Sequence, residues 1–193
     1  EQTLIVNGRE IPAKQNGWQL LHTNASLPIT LSSSMPWQIG FINIERPGRG
    51  VTVSAMGING AQLSQWSKWR PGMWEDLAQT KADLIILAYG TNEAFSGNLD
   101  ISSTERTWRN YIRQIKNTLP NAGILILGAP ESLKTAYGSC GNRPVLLSEV
   151  QQMQQRIARD EKIMFWSWQD AMGGACSMKN WMAQGLAAKD GVH

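Results

Sequence analysis

Long apolar runs are missing from this sequence. The longest uninterrupted one, Leu84–Tyr89, has six residues, far short of the ~20 that a membrane-spanning helix needs. Charge is sparse as well. Only 17% of the residues are charged, and 18 basic residues against 15 acidic ones leave a net charge of +3. No signature of RNA or DNA recognition accompanies this mild excess, so nucleic acid is not an expected partner. The opening stretch EQTLIVNGRE has no basic region followed by an apolar one, so no signal peptide is visible. Export is not thereby excluded, since Glu1 can follow a removed segment.

Histidine and cysteine are equally scarce. The chain has His22, His193, Cys140 and Cys176, and no two of them have the close spacing of metal-ligand pairs. No metal site and no cofactor are therefore expected. Both cysteines lie in loop-like sequence, AYGSCGNRP and MGGACSMKN. They fit either one disulfide in an oxidising compartment or two free thiols.

Against these shortages stand nine tryptophans. Indoles fill cores and stack on the apolar faces of sugars, and the core reading applies to most of them. Trp66, Trp69 and Trp74 lie in a Gly- and Pro-containing stretch where burial is less assured. A basic cluster, Arg106, Arg109, Arg113 and Lys116, has helical spacing and reads as a solvated stripe.

The pattern changes near residue 50. Residues 1–49 hold short β-type segments, TLIVNG, WQLLHT, LPITLS and WQIGFINIE, broken by Asn-Gly, Pro and Ser clusters. They read as the end of a small antiparallel β-rich module. Residues 50–193 alternate between strand and helix. GVTVSAM, DLIILAYG, GILILGAP and IMFWSW read as strands. MWEDLAQT, a helix from about Thr104 to Leu119 opened by a Ser102/Glu105 capping box, and a helix from Pro144 to about Asp160 alternate with them. Continuous apolar strands between helices predict a mainly parallel sheet covered on both faces, an α/β fold of three layers. In such sheets the working residues follow the carboxyl ends of the strands. SAMGING, YGTNEAF and GAPESL all satisfy that rule, although Gly and Asn are also ordinary turn formers.

GINGA after the first of these strands, GTNE after the second and DGVH at residues 190–193 together resemble the SGNH (GDSL-like) hydrolase family. The resemblance covers residues 50–193 and implies a flavodoxin-like α/β/α fold and serine ester hydrolysis. It implies Gly60 (backbone N–H) and Asn92 (side-chain amide) as oxyanion-hole donors, with Gly57 as an earlier turn glycine. It implies His193 as general base and Asp190 as its orienting carboxylate. These residue types suit the chemistry. Fixed N–H donors stabilise the developing oxyanion, and a neutral imidazole takes the serine proton and passes it to the leaving alcohol.

The sequence departs from the family at one point. No Gly-Asp-Ser block and no Gly-x-Ser-x-Gly elbow is present, and Ser32, Ser33, Ser34 and Ser54 lack the right context. The nucleophile is therefore expected outside this chain, upstream of a β module inserted between the first and second blocks. The chain also stops at His193, where the family continues into a final helix. SAMGINGAQLSQW and LAYGTNEAF most resemble the peptidoglycan O-acetylesterases of Gram-negative bacteria. That resemblance implies removal of O-acetyl groups from the C6 hydroxyl of N-acetylmuramoyl residues in peptidoglycan glycan strands. It also implies a periplasmic location, with outer-membrane or other peripheral envelope association left open. An O-acetyltransferase would use the same residues, and a non-catalytic carbohydrate-binding protein would suit the tryptophans and the absent serine. Catalysis by Cys140 with His193 is disfavoured, because no strand-to-helix elbow surrounds GSCG.

Overall fold

The computed structural model describes residues 3–12 and 17–192. The chain divides into two compact units, Glu1–Ala55 and Met56–His193.

In the first unit, β1 (Thr3–Val6) and β2 (Arg9–Pro12) form an antiparallel hairpin, and β3 (Leu31–Ser32) pairs with β1 on its other side. Asn7 and Gly8 connect the hairpin, with φ of 48° and 79°. Two consecutive positive φ values match the twist of a two-residue β turn, and Asn-Gly is the pair that tolerates them best. WQLLHT and WQIGFINIE form no strand. Their large side chains, Phe41 and Ile44 among them, are exposed, so these segments lack the packed face that β pairing needs.

The second unit is α/β, as the alternating pattern predicts. Its elements are α1 (Met73–Thr80), β4 (Leu84–Leu87), α2 (Thr91–Phe95), α3 (Ile101–Thr118), β5 (Gly123–Leu127), α4 (Leu147–Glu161), β6 (Met164–Trp166), α5 (Trp168–Ala171) and α6 (Ser177–Ala183). A 3₁₀ segment, Leu63–Lys68, precedes α1. The strands form a parallel sheet in the order β4-β5-β6. Two boundaries differ from the sequence reading. Asp100 caps α3 by accepting the Ser103 N–H at 3.1 Å, in place of Ser102. Pro144 sits in a turn that precedes α4, its carbonyl accepting the Leu147 N–H at 3.1 Å.

One face of the sheet carries the core. Ile85, Leu87, Ile124, Ile126 and Phe165 pack with Trp108, Ile112 and Ile115 of α3 and Val150, Met153 and Ile157 of α4. The opposite face is less completely covered within this unit. Leu84, Ile86, Met164 and Trp166 point to the other face and remain 44–49% exposed. The expected strand GVTVSAM is also unformed. Val51 and Val53 are 91% and 83% exposed, and without a ladder partner an apolar run has nothing to hold it as a strand.

Most of the tryptophan-rich stretch belongs to the core. Trp66 is buried and stacks on Trp69 at 4.7 Å, with Trp74 and Tyr111 beside it. The basic stripe is not merely solvated. Arg109 contacts Glu105 and Asp160, and Arg113 and Lys116 contact Glu161, which joins α3 to α4.

Candidate active site

The two loops expected to supply oxyanion donors are stitched together. Ile58–Ala61 forms a turn, closed by the Ala61 N–H to the Ile58 carbonyl at 3.1 Å. Gly60 takes φ = 78° in that turn, and nothing lies within 4 Å of where a Cβ would stand. Its need for glycine is therefore one of backbone conformation. Asn92 sits in the first turn of α2. Its side-chain amide donates to the Ala61 carbonyl at 2.9 Å, and Gln62 Nε2 donates to the Asn92 carbonyl at 3.2 Å. The structure thus brings Asn92 beside the residue that follows Gly60. An amide nitrogen carries two hydrogens, and the bond to Ala61 occupies one of them, which leaves the other for an oxyanion.

Glu93 is the residue that sequence reasoning missed. It is 1% exposed. One oxygen accepts the Leu63 N–H at 2.9 Å, and the other accepts the Gly90 N–H at 2.9 Å. It therefore caps α2 and pins the start of the 3₁₀ segment to it. Its place three residues after Gly90, the usual acceptor position in a capping box, was the available signal. Burial raises its pKa above the ordinary 4.5, and the backbone N–H groups of Leu63 and Gly90 oppose that rise. A carboxyl raised in the fold contributes stability that is full below its unfolded value and is lost as pH rises through the folded one.

The third strand end supplies a support. Beyond β5, Glu131 is fully buried. It accepts from Gln169 Nε2 at 2.6 Å and from the Cys176 N–H at 3.2 Å, with Arg143 Nε at 2.7 Å. Cys140 and Cys176 are disulfide-bonded, with Cα atoms 4.8 Å apart. This resolves the choice left open by the sequence, and it ties the β5–α4 loop, on which Glu131 and Leu133 also lie, to the start of α6. Leu133 in turn holds the DGVH turn. Its N–H donates to the Gly191 carbonyl at 2.9 Å. Gly191 has φ = 71°, and a Cβ there would lie 3.0 Å from Leu133 Cβ. Asp190 accepts the Val192 N–H at 2.9 Å. His193, the expected base, lies outside the described residues. Ser132 and Ser177 are buried and their hydroxyls have no hydrogen-bond partner.

Residues 40–193 match the GDSL-like lipase/acylhydrolase family. The chain belongs to that family. Among solved structures it is similar to a peptidoglycan O-acetylesterase, at 66% identity and a TM-score of 0.92. That match covers 100% of this chain but 55% of the other, so the chain spans about half the length of that relative. Two esterases share the fold at low identity. An acetyl xylan esterase has 14% identity and a TM-score of 0.52, over 70% of this chain and 66% of that one. An acetyl-xylooligosaccharide esterase from Geobacillus has 16% identity and a TM-score of 0.52, over 69% of this chain and 60% of that one. No curated protein matches the chain. The GDSL-like family assignment agrees with the block order GINGA, GTNE and DGVH.

Proposed function

We propose that this chain is part of a peptidoglycan O-acetylesterase that removes acetyl from the C6 hydroxyl of N-acetylmuramoyl residues. The observation that carries the reading is 66% identity, over the whole chain, to a peptidoglycan O-acetylesterase. The stitched Gly60 and Asn92 loops support it chemically. A serine in the remainder of the full-length protein attacks the acetyl carbonyl, and His193 takes its proton. The carbonyl oxygen becomes an oxyanion that the Gly60 N–H and the Asn92 amide stabilise, each donor worth roughly 3 kcal/mol. The sugar hydroxyl leaves with the proton from His193, and water then releases acetate by the same steps in reverse. Asp190 orients the imidazole. The first unit is read as the end of an inserted β-rich carbohydrate-binding-type module. A periplasmic site, peripheral to the envelope, is supported by the disulfide, because such bonds persist in oxidising compartments.

Acetate release from O-acetylated peptidoglycan by the full-length protein tests the reading. Release that His193→Ala and Asn92→Ala both suppress is the expected result. Release unaffected by either substitution would sink it. Acetyl transfer to a glycan acceptor in place of acetate release would make it a transferase.

A further inference from the structure

Gln154 lies on α4 and is fully buried. Long polar side chains rarely accept that position without partners. Its partners are backbone groups just past the ends of two strands. The ladder between β4 and β5 ends at Leu87 and Ile126. Past that point Gln154 Nε2 donates to the Tyr89 carbonyl at 2.7 Å, and Gln154 Oε1 accepts the Ala129 N–H at 2.8 Å. A carboxamide carries the same donor and acceptor as a peptide group, so this side chain replaces the rung that the ladder no longer supplies. Gln151 completes the set by donating to the Ala129 carbonyl at 2.8 Å.

The same head group fills the space over Gly90. A Cβ at Gly90, which has φ = 122°, would lie 2.7 Å from Gln154 Nε2 and 2.9 Å from Ala129 Cβ. Gly90 then gives its N–H to Glu93, and Asn92 follows in the first turn of α2. The position of the Tyr89-Gly90 peptide therefore sets where Asn92 begins.

We propose that Gln154 is a positioning residue for Asn92, which aims the side-chain amide by holding the 89–90 peptide against the end of β5. The proposal rests on the reading of Asn92 as an oxyanion donor. A merely structural Gln154 would lower stability and leave turnover per folded molecule alone.

The test uses the full-length protein with acetylated peptidoglycan. In Gln154→Met, kcat per folded molecule should fall roughly tenfold or more, with KM changed less than about twofold, since small misplacements of catalytic groups act on the transition state. In an Asn92→Ala background the same substitution should have almost no further effect on kcat. Equal losses in both backgrounds, or an unchanged kcat in the single variant, would overturn the proposal. Should Gln154→Met not fold, Gln154→Glu decides. A neutral carboxyl offers one donor and one acceptor, whereas a carboxylate offers none of the former. Its kcat relative to wild type should rise as pH falls from about 8 to about 5.5, because burial lifts a carboxyl's titration toward neutrality, and a flat ratio would overturn the proposal. Hydrogen exchange separates this proposal from the esterase reading. An inactive wild type with faster exchange over residues 89–95 in either variant would reject the esterase reading and sustain the clamp. Unchanged exchange there would reject the clamp, whatever the assay of the wild type shows.

Discussion

If Asn92 is the oxyanion donor proposed above, it has two roles that pull its mutant phenotype in different directions. Its amide ties α2 to Ala61 and has a second hydrogen for an oxyanion. Asn92→Ala in the full-length enzyme should lower kcat by roughly 10²–10³ with little change in KM. It should also cost about 1 kcal/mol of stability, the usual net worth of one intramolecular hydrogen bond. Steady-state kinetics and urea melts on one preparation measure both effects. A large stability loss with normal kcat would return Asn92 to plain turn chemistry. Glu93 has a different signature. In Glu93→Gln the side chain is neutral at every pH and keeps one acceptor. The wild type loses stability as pH rises above 4.5 through its raised value, and the variant does not. The stability gap between them should therefore narrow from acid toward neutral pH, which urea midpoints at several pH values report. A gap that widens would contradict the raised pKa.

At the scale of elements, α3 and α4 are joined by carboxylates whose pKa values run the other way. A hydrogen bond from Arg156 lowers Glu105, and hydrogen bonds from Arg159 and Arg109 lower Asp160. Burial pushes Glu161 upward, but Arg113 and Lys116 outweigh it and the net shift is downward. Groups lowered in the fold contribute stability that is full above their unfolded values, 4.5 for the two glutamates and 3.8 for the aspartate. That contribution disappears as pH falls through the folded values. Stability should therefore drop on acidification below pH 4.5, and Glu105→Gln should make the drop shallower. Chemical denaturation at pH 7 and pH 3 checks this, and equal drops in both proteins would show that the network contributes nothing to the acid limb.

At the scale of the whole molecule, the disulfide joins residues 36 positions apart. Cross-links over loops of this length typically stabilise by about 2–4 kcal/mol. Cys140→Ser with Cys176→Ser should lower the thermal midpoint and loosen the Leu133 support beneath the DGVH turn, so kcat should fall along with stability. A stability loss with unaltered kcat would limit the disulfide to a structural role. The 193-residue chain by itself should turn over p-nitrophenyl acetate negligibly, because the expected nucleophile is not among its residues. Robust turnover abolished by His193→Ala would show that one of its own serines serves.

Sequence alone determined the α/β order of the second unit. Apolar strands and amphipathic helices are local patterns, set by which side chains can be buried at periods of about 2 and 3.6. It also marked GINGA, GTNE and DGVH, through the resemblance of these blocks and their order to those of the GDSL-like family. Only the tertiary structure decided the rest. GVTVSAM has the composition of a strand but not the ladder partner, and pairing is a property of two segments. Half-exposed Leu84, Ile86, Met164 and Trp166 show the same limit for burial. The disulfide needed a Cα separation that spacing along the chain does not supply. Glu93 stood inside GTNE with no role of its own, and Gln154 lay unremarked in the helix expected from Pro144 to about Asp160. Their importance lies in backbone groups 30 and 65 residues away, and a hydrogen bond across that distance exists only once the strands and helices have packed.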